Sequence, residues 1–421
     1  MNNVSDSKED QETGSKDRLK NLEDVRSAAF ACVQCGQCRT PQAPFAGIYY
    51  VCPVYQTEVT PKFEPYFARG KNLILKGLLW GDLELSPELS EIIFQCSLCG
   101  ACEEFCHNSF NENINFANHN WAENVRTYEA LRADLVEAGF ALESHIPMNK
   151  AMVELLNPYG RDNKEKTEWT EKLDFKIKDA SEESAEVLYF VGCTAALTPQ
   201  VQNVAIATAK ILHKLGVDFS IFGENEVCCG SVAMRTGDRK AFEKVAEKNA
   251  KLFKERGIKK IITSCAGCYR TLKKDYGDKL EGIEILHTVE FLDELIAQKN
   301  LKLKKLDINI TYHDPCHIGR HMGLYEVPRS ILNKISNLVE MKTNREGAMC
   351  CGAGGGVKKG FPELALEMAK NRIEDAKETG VKNLVSTCPF CYRNLSDAID
   401  ALNSDIKMVD LVELFLDALE D

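Results

Sequence analysis

The chain has 421 residues, 27% of them charged, and a net charge of −11. That length accommodates about two to four domains. The acidic balance speaks against nucleic acid or an anionic membrane surface as the main partner. No run approaches the roughly 18–20 apolar residues that would span a bilayer. The outlier is 18 cysteines. The polar start "MNNVSDSKEDQETGSKDRLKNLEDV" has no signal-peptide core, so a secreted disulfide scaffold is disfavoured and clustered thiols point to metal.

In chain order, residues 1–25 read as a disordered lead-in, and 26–160 carry two cysteine runs. "CVQCGQCRTPQAPFAGIYYVCP" supplies Cys32, Cys35, Cys38 and, before Pro53, Cys52; "CSLCGACEEFC" supplies Cys96, Cys99, Cys102 and Cys106. C-x2-C-x2-C with a remote fourth cysteine is the ligand run of a two-cluster ferredoxin, whose fourth thiol serves the other cluster. The expected sets are therefore Cys32, Cys35, Cys38 and Cys106 for one cubane 4Fe–4S cluster, and Cys52, Cys96, Cys99 and Cys102 for the second. His107 stands where the bacterial run has proline, which should alter local hydrogen bonding and leave ligation intact. Between the runs, "RGKNLILKGLLWGDLELSPELSEIIF" reads as helix with a turn near Gly81, so the domain should be mostly helical. Residues 161–186 are charged and poor in apolar runs, which predicts a linker.

From residue 187 the chain repeats itself. Cys193, Cys265 and Cys268 recur 123 residues later as Cys316, Cys388 and Cys391. Cys228-Cys229-Gly230 recurs at an offset of 122 as Cys350-Cys351-Gly352. Each copy has five cysteines in the order C…CCG…CxxC. "EVLYFVGC", "KKIITSC", "DINITYHDPC" and "KNLVSTC" predict short buried strands ending at cysteines, separated by amphipathic helices. Such an α/β order gathers the thiols at the carboxyl ends of the strands. A CxxC alone fits a zinc corner or a redox dithiol. Zinc takes four ligands and leaves one of the five over, so a polynuclear iron–sulfur centre fits better, with zinc as the alternative. Gly352–Gly356, "GAGGG", is expected to bring backbone amides to the cluster sulfides. It lacks the Lys-Ser/Thr ending of a phosphate loop.

"YHDPCHIGRH" surrounds Cys316 with His313, His317 and His321. His317 is assigned to the site as a proton donor, against the plainer reading that these rings pack or hydrogen-bond sulfur. Arg235, Arg320, Lys358 and Lys359 lie near the cysteine loops and are candidate receivers of anionic substrate groups.

With "VGCTAAL", "CCGSV", "HDPCHIGRH", "CCGAGGGV" and "CPFCYRNL" in place, residues 25–421 resemble the heterodisulfide reductase D-subunit family. The resemblance implies an α+β multidomain chain: a two-cubane ferredoxin domain, then tandem α/β CCG domains at 187–305 and 306–421. It also implies two noncubane 4Fe–4S clusters. One would be held by Cys193, Cys228, Cys229, Cys265 and Cys268, the other by Cys316, Cys350, Cys351, Cys388 and Cys391. Between them the mixed disulfide of coenzymes M and B would be cleaved. A disulfide needs two electrons whereas each cubane delivers one, and a pseudo-symmetric pair of centres meets that requirement. Without a G-x-G-x-x-G flavin fingerprint or a membrane span, electrons must come from a membrane cytochrome or a soluble flavoprotein subunit. The expected location is cytoplasmic, or peripheral on the inner face of the membrane through that partner. The alternative function is an electron-transfer subunit of a glycerol-3-phosphate or lactate dehydrogenase-type complex, passing electrons from a flavoprotein toward a membrane quinone pool.

Overall fold

The computed structural model describes residues 19–39, 51–106 and 122–419. Residues 1–18 of the expected lead-in, and His107, lie outside that range. Two compact units result. The first runs to Ile146 and adds Val232–Arg239 and Gly354–Leu364; the second holds the remainder.

The first unit is helical. Helix Ala68–Trp80 ends at Gly81, which takes φ +81° and accepts the left-handed turn that only glycine adopts freely. Ser86 then caps helix Pro87–Phe94 by accepting from the Leu89 amide, with proline at its first position. These helices and helix Asn124–Glu137 bury Phe67, Leu75, Ile93, Phe94 and Leu131 in one core. The end of the expected lead-in belongs to it. Lys20–Glu23 is helical, Leu19, Leu22 and Val25 are buried, and Asp134 accepts from the backbone of Asn21 and Leu22. Disorder is therefore the wrong description of residues 19–25.

The second unit contains two parallel sheets. The first has strand order β1-β3-β2-β4-β5, with β1 Lys178–Asp179, β2 Val187–Tyr189, β3 Phe219–Ile221, β4 Lys260–Thr263 and β5 Glu284–His287. The second has order β7-β6-β8-β9, with β6 Asn309–Tyr312, β7 Asn337–Leu338, β8 Asn383–Ser386 and β9 Lys407–Asp410. The register repeats as well as the sequence: Tyr189 pairs with Ile262 and Tyr312 with Val385. Strands β2, β4, β6 and β8 each end within four residues of a cysteine, as their patterns predict.

The charged stretch 161–186 departs from the linker reading. Asp162 caps a 3₁₀ helix, Asn163–Lys172, and β1 pairs with β3. At three residues per turn, Lys166 and Trp169 share one face, and both are buried. This segment is part of the first copy's structure.

Candidate metal centres

Both ferredoxin-type runs use the same backbone device. Gln34 and Leu98 take left-handed conformations just before the second cysteine, and Gly36 and Gly100 take them just after it. Each triplet thereby curls round a point. One pocket is lined by Cys32, Cys35, Cys38 and Cys106. The other is lined by Cys52, Cys96, Cys99 and Cys102. Each expected quartet thus falls round one cavity, and Cys102 borders both. Burial pushes the Cys38 and Cys52 thiols up to about 12, so ligation and loss of the thiol proton go together.

Two buried cations that sequence reasoning missed flank the second cavity. Lys71 lines it, and burial pulls its ammonium down against the opposing pull of Cys96 and Cys52. Arg132, wholly buried, donates to the carbonyls of Cys96 (2.5 Å), Ile93 (2.9 Å), Arg235 (2.7 Å) and Gly355 (2.7 Å). No sequence signal marks it beyond a charge inside an amphipathic helix.

In the second unit all ten cysteines of the repeat are buried and free of disulfides. The CCG turn explains its own glycine. Gly230 and Gly352 take φ +83° and +84°, and their amides donate to Cys228 Sγ at 3.5 Å and Cys350 Sγ at 3.4 Å. A Cβ on Gly352 would stand 2.7 Å from the Ala365 carbonyl oxygen. The rest of "GAGGG" corrects the expectation of amides approaching sulfides. A Cβ on Gly355 would meet the Cys96 carbonyl at 2.6 Å, and one on Gly356 the His145 ring at 2.8 Å, so these glycines allow close packing inside the first unit.

Thiol contacts run without a break from Cys193 through Cys228, Cys229, Cys268 and Cys265 to Cys388, Cys391, Cys351 and Cys350. Cys351 and Cys391 sulfurs are 3.3 Å apart. The hydrogen bond from Cys228 brings Cys229 down to about 6; bonds from Cys350 and Cys265 hold Cys351 and Cys388 well below the ordinary thiol value. An all-sulfur donor set of this kind suits soft metals and iron–sulfur centres.

The first copy has a cation at its first cysteine. Lys166 donates to the Glu226 carbonyl at 2.5 Å, lies 3.8 Å from the Glu226 carboxylate, and hydrogen-bonds Cys193. Burial opposes its charge, but Cys193 and Glu226 outweigh that and raise its pKa. Glu226 in turn accepts from the Val191 and Gly192 amides. In the second copy the group at the first cysteine is a ring: His317 Nδ1 lies 3.3 Å from Cys316 Sγ, and the imidazole stacks on His321 at 4.4 Å. Arg320 donates to the carbonyls of Glu346 and Ala348, so it is engaged in the fold. Arg235 is paired with Glu129 at 2.7 Å and buried, which removes it as an anion receiver. Lys358 and Lys359 fall in the segment assigned to the first unit.

A model described as a cysteine-rich domain matches residues 187–273 and 310–396, and a 4Fe-4S dicluster domain model matches 27–110. The D-subunit of the dihydromethanophenazine:CoB--CoM heterodisulfide reductase of Methanosarcina barkeri is 38% identical over 419 residues, covering 95% of this chain and 96% of that one. The chain belongs to the heterodisulfide reductase D-subunit family. As a family member it is an iron–sulfur oxidoreductase subunit that works with redox partner subunits. An EtfAB:quinone oxidoreductase of Syntrophomonas wolfei is also similar, 29% identical over 79% of this chain and 47% of its own length. Among solved structures, a hypothetical protein from Helicobacter pylori shares the fold (TM-score 0.56, 12% identity, 84% of this chain and 68% of that one). Among the described residues of this heterodisulfide reductase family member, no helix is long and apolar enough to cross a membrane.

Proposed function

We propose that the chain reduces a disulfide at two five-cysteine iron–sulfur centres, one per CCG copy, supplied by two cubanes in the first unit. The substrate we assign is the coenzyme M–coenzyme B heterodisulfide. The observation that carries the reading is the meeting of the two copies' buried thiols at Cys265 and Cys388. Overall, one S–S bond breaks, two electrons and two protons are consumed, and two thiols leave. The centres would supply single electrons and iron atoms that capture each sulfur as the bond opens.

The chain's residues supply the enclosure. Cys193, Cys228, Cys229, Cys265 and Cys268 would hold the first centre; Cys316, Cys350, Cys351, Cys388 and Cys391 the second. Lys166 and His317 provide a hydrogen-bonding group at the first cysteine of each set. Arg393 has features of an anion receiver. Its equivalent Arg270 is paired with Asp275 at 3.0 Å, whereas Arg393 lies over the Tyr159 ring and donates to its hydroxyl at 3.4 Å. Ala398 stands where the repeat would put that aspartate, so Arg393 lacks the matching carboxylate. We place the chain on the cytoplasmic side, docked to a membrane cytochrome or a flavoprotein subunit.

The test is turnover of the coenzyme M–coenzyme B heterodisulfide by anaerobically prepared, iron-loaded chain with reduced viologen as donor, and simple disulfides as controls. Selective turnover supports the reading. Full loading without turnover makes the chain a conduit, the role suggested by its similarity to the quinone oxidoreductase, carrying electrons from a flavoprotein partner toward a quinone pool.

A further inference from the structure

The two copies differ at one buried pair beside the thiols. His313 follows β6 and is 0% exposed; 123 residues earlier the chain has Phe190. Arg372, also 0% exposed, has Asn249 at the corresponding place. Arg372 Nε lies 3.1 Å from His313 Nδ1. A guanidinium only donates, so Nδ1 is the acceptor and the ring proton sits on Nε2. Arg372 is itself fixed, donating to the Thr343 carbonyl at 2.8 Å and hydroxyl at 2.7 Å and pairing with Asp375. His313 Nε2 is buried and has no partner within the described protein. A ligating nitrogen of His313 and the sulfurs of Cys351 and Cys391 all lie within 4.8 Å of one another. A buried donor left unsatisfied is costly, and the nearby acceptors that could take it up are those sulfurs.

We infer that His313 is a tautomer-locked hydrogen-bond donor to the Cys351 and Cys391 sulfurs of the second copy's iron–sulfur centre, a device the first copy lacks. Arg372 acts through His313 as a positioning residue. The inference rests on the proposed cluster in the second copy. A donor directed at ligand sulfur stabilises the more negative, reduced centre and raises its potential. With Nδ1 turned to Arg372 and the proton on Nε2, the neutral ring has no lone pair for iron, so the geometry assigns it donation over ligation. The two centres are then unequal electron acceptors despite their matching cysteines.

The test uses the full iron-loaded chain. The second centre's paramagnetic signal is identified by its loss in Cys351→Ala. In wild type, electron–nuclear double resonance should show a coupled proton on that signal that exchanges in deuterated buffer, and no directly bound nitrogen. In His313→Phe that proton should vanish, and the reduced fraction at fixed potential should fall at least about tenfold, which is 59 mV for one electron. His313→Gln, which keeps a donor, should recover part of the shift. Because His313→Phe leaves Arg372 facing a phenyl ring, His313→Phe/Arg372→Asn installs the first copy's own pair and guards against misfolding. A bound nitrogen, or an intact centre with unchanged potential and no exchangeable proton, overturns the inference. Absence of any signal removed by Cys351→Ala overturns the cluster reading itself, and the inference with it.

Discussion

Cys265 and Cys388 are the same residue of the repeat, and the Cys265 thiol donates to the Cys388 sulfur. Each stands at the N-cap position of the helix that follows its strand, so the repeat puts the two sulfurs at equivalent places in their copies. Cys265→Ala should remove one centre's iron and leave the other. Iron content with low-temperature paramagnetic resonance should show a loss confined to the first copy, while disulfide turnover falls by at least about 10–100-fold. Equal loss from both copies would mean that the centres are not separate.

Lys166 and Glu226 are a buried pair, at 2% exposure each. Lys166→Met leaves a carboxylate without its cation and should destabilise the chain by about 3–5 kcal/mol. Lys166→Met/Glu226→Gln should recover much of that loss, read as the shift in denaturant midpoint. A surface pair would move the midpoint very little.

Gly352 and Gly81 share nearly the same φ, +84° and +81°, but differ in surroundings. A side chain at Gly81 meets nothing within 4 Å, whereas one at Gly352 strikes backbone. Gly81→Ala should therefore cost only the left-handed strain, about 1–2 kcal/mol. Gly352→Ala should cost clearly more in thermal denaturation and impair metal loading of the second copy.

His145 is buried against the Gly356 carbonyl at 3.0 Å, and burial first, then Arg132 and Lys359, bring its pKa to about 4 from 6.5. The folded chain thus holds fewer protons on this ring than the unfolded chain between those values. Its contribution is complete above about pH 6.5 and is lost as pH falls toward 4, amounting to roughly 3 kcal/mol. Denaturation across pH 4–7 should show that slope, and His145→Gln should flatten it.

Arg393→Ala should raise KM for an anionic disulfide about tenfold, the worth of a charged hydrogen bond, and leave KM for a neutral disulfide nearly unchanged. Steady-state kinetics with both substrates separates recognition from damage. An equal rise in both would remove Arg393 from substrate binding.

The grouping of the cysteines was legible because local chain geometry fixes it. C-x2-C-x2-C curls by itself, and the CCG turn demands glycine at φ above zero, so spacing alone carries the information. Strands ending at cysteines followed from short apolar runs. What escaped depends on partners remote in sequence. Arg235 looked like a loop cation, yet its carboxylate is Glu129, 106 residues earlier. Lys166 sat in a run whose charge suggests solvent, and only its three-residue spacing from Trp169 hinted at a buried face. The glycines after Cys351 read as a cradle for sulfide because their crowding by Cys96 and His145 comes from the far end of the chain.

Strand β1 and Lys166 both precede the first recognisable repeat residue, and among the described residues the second sheet has no strand equivalent to β1. The repeated unit and the unit that can be excised are therefore different. A gene cut at residue 187 would encode every first-copy cysteine but discard an edge strand, the buried Trp169 and the cation against Cys193. Swapping the two cysteine-rich copies would fail for the same reason. The first copy is built on the sequence in front of it, and the boundary of the repeat is not the boundary of the fold.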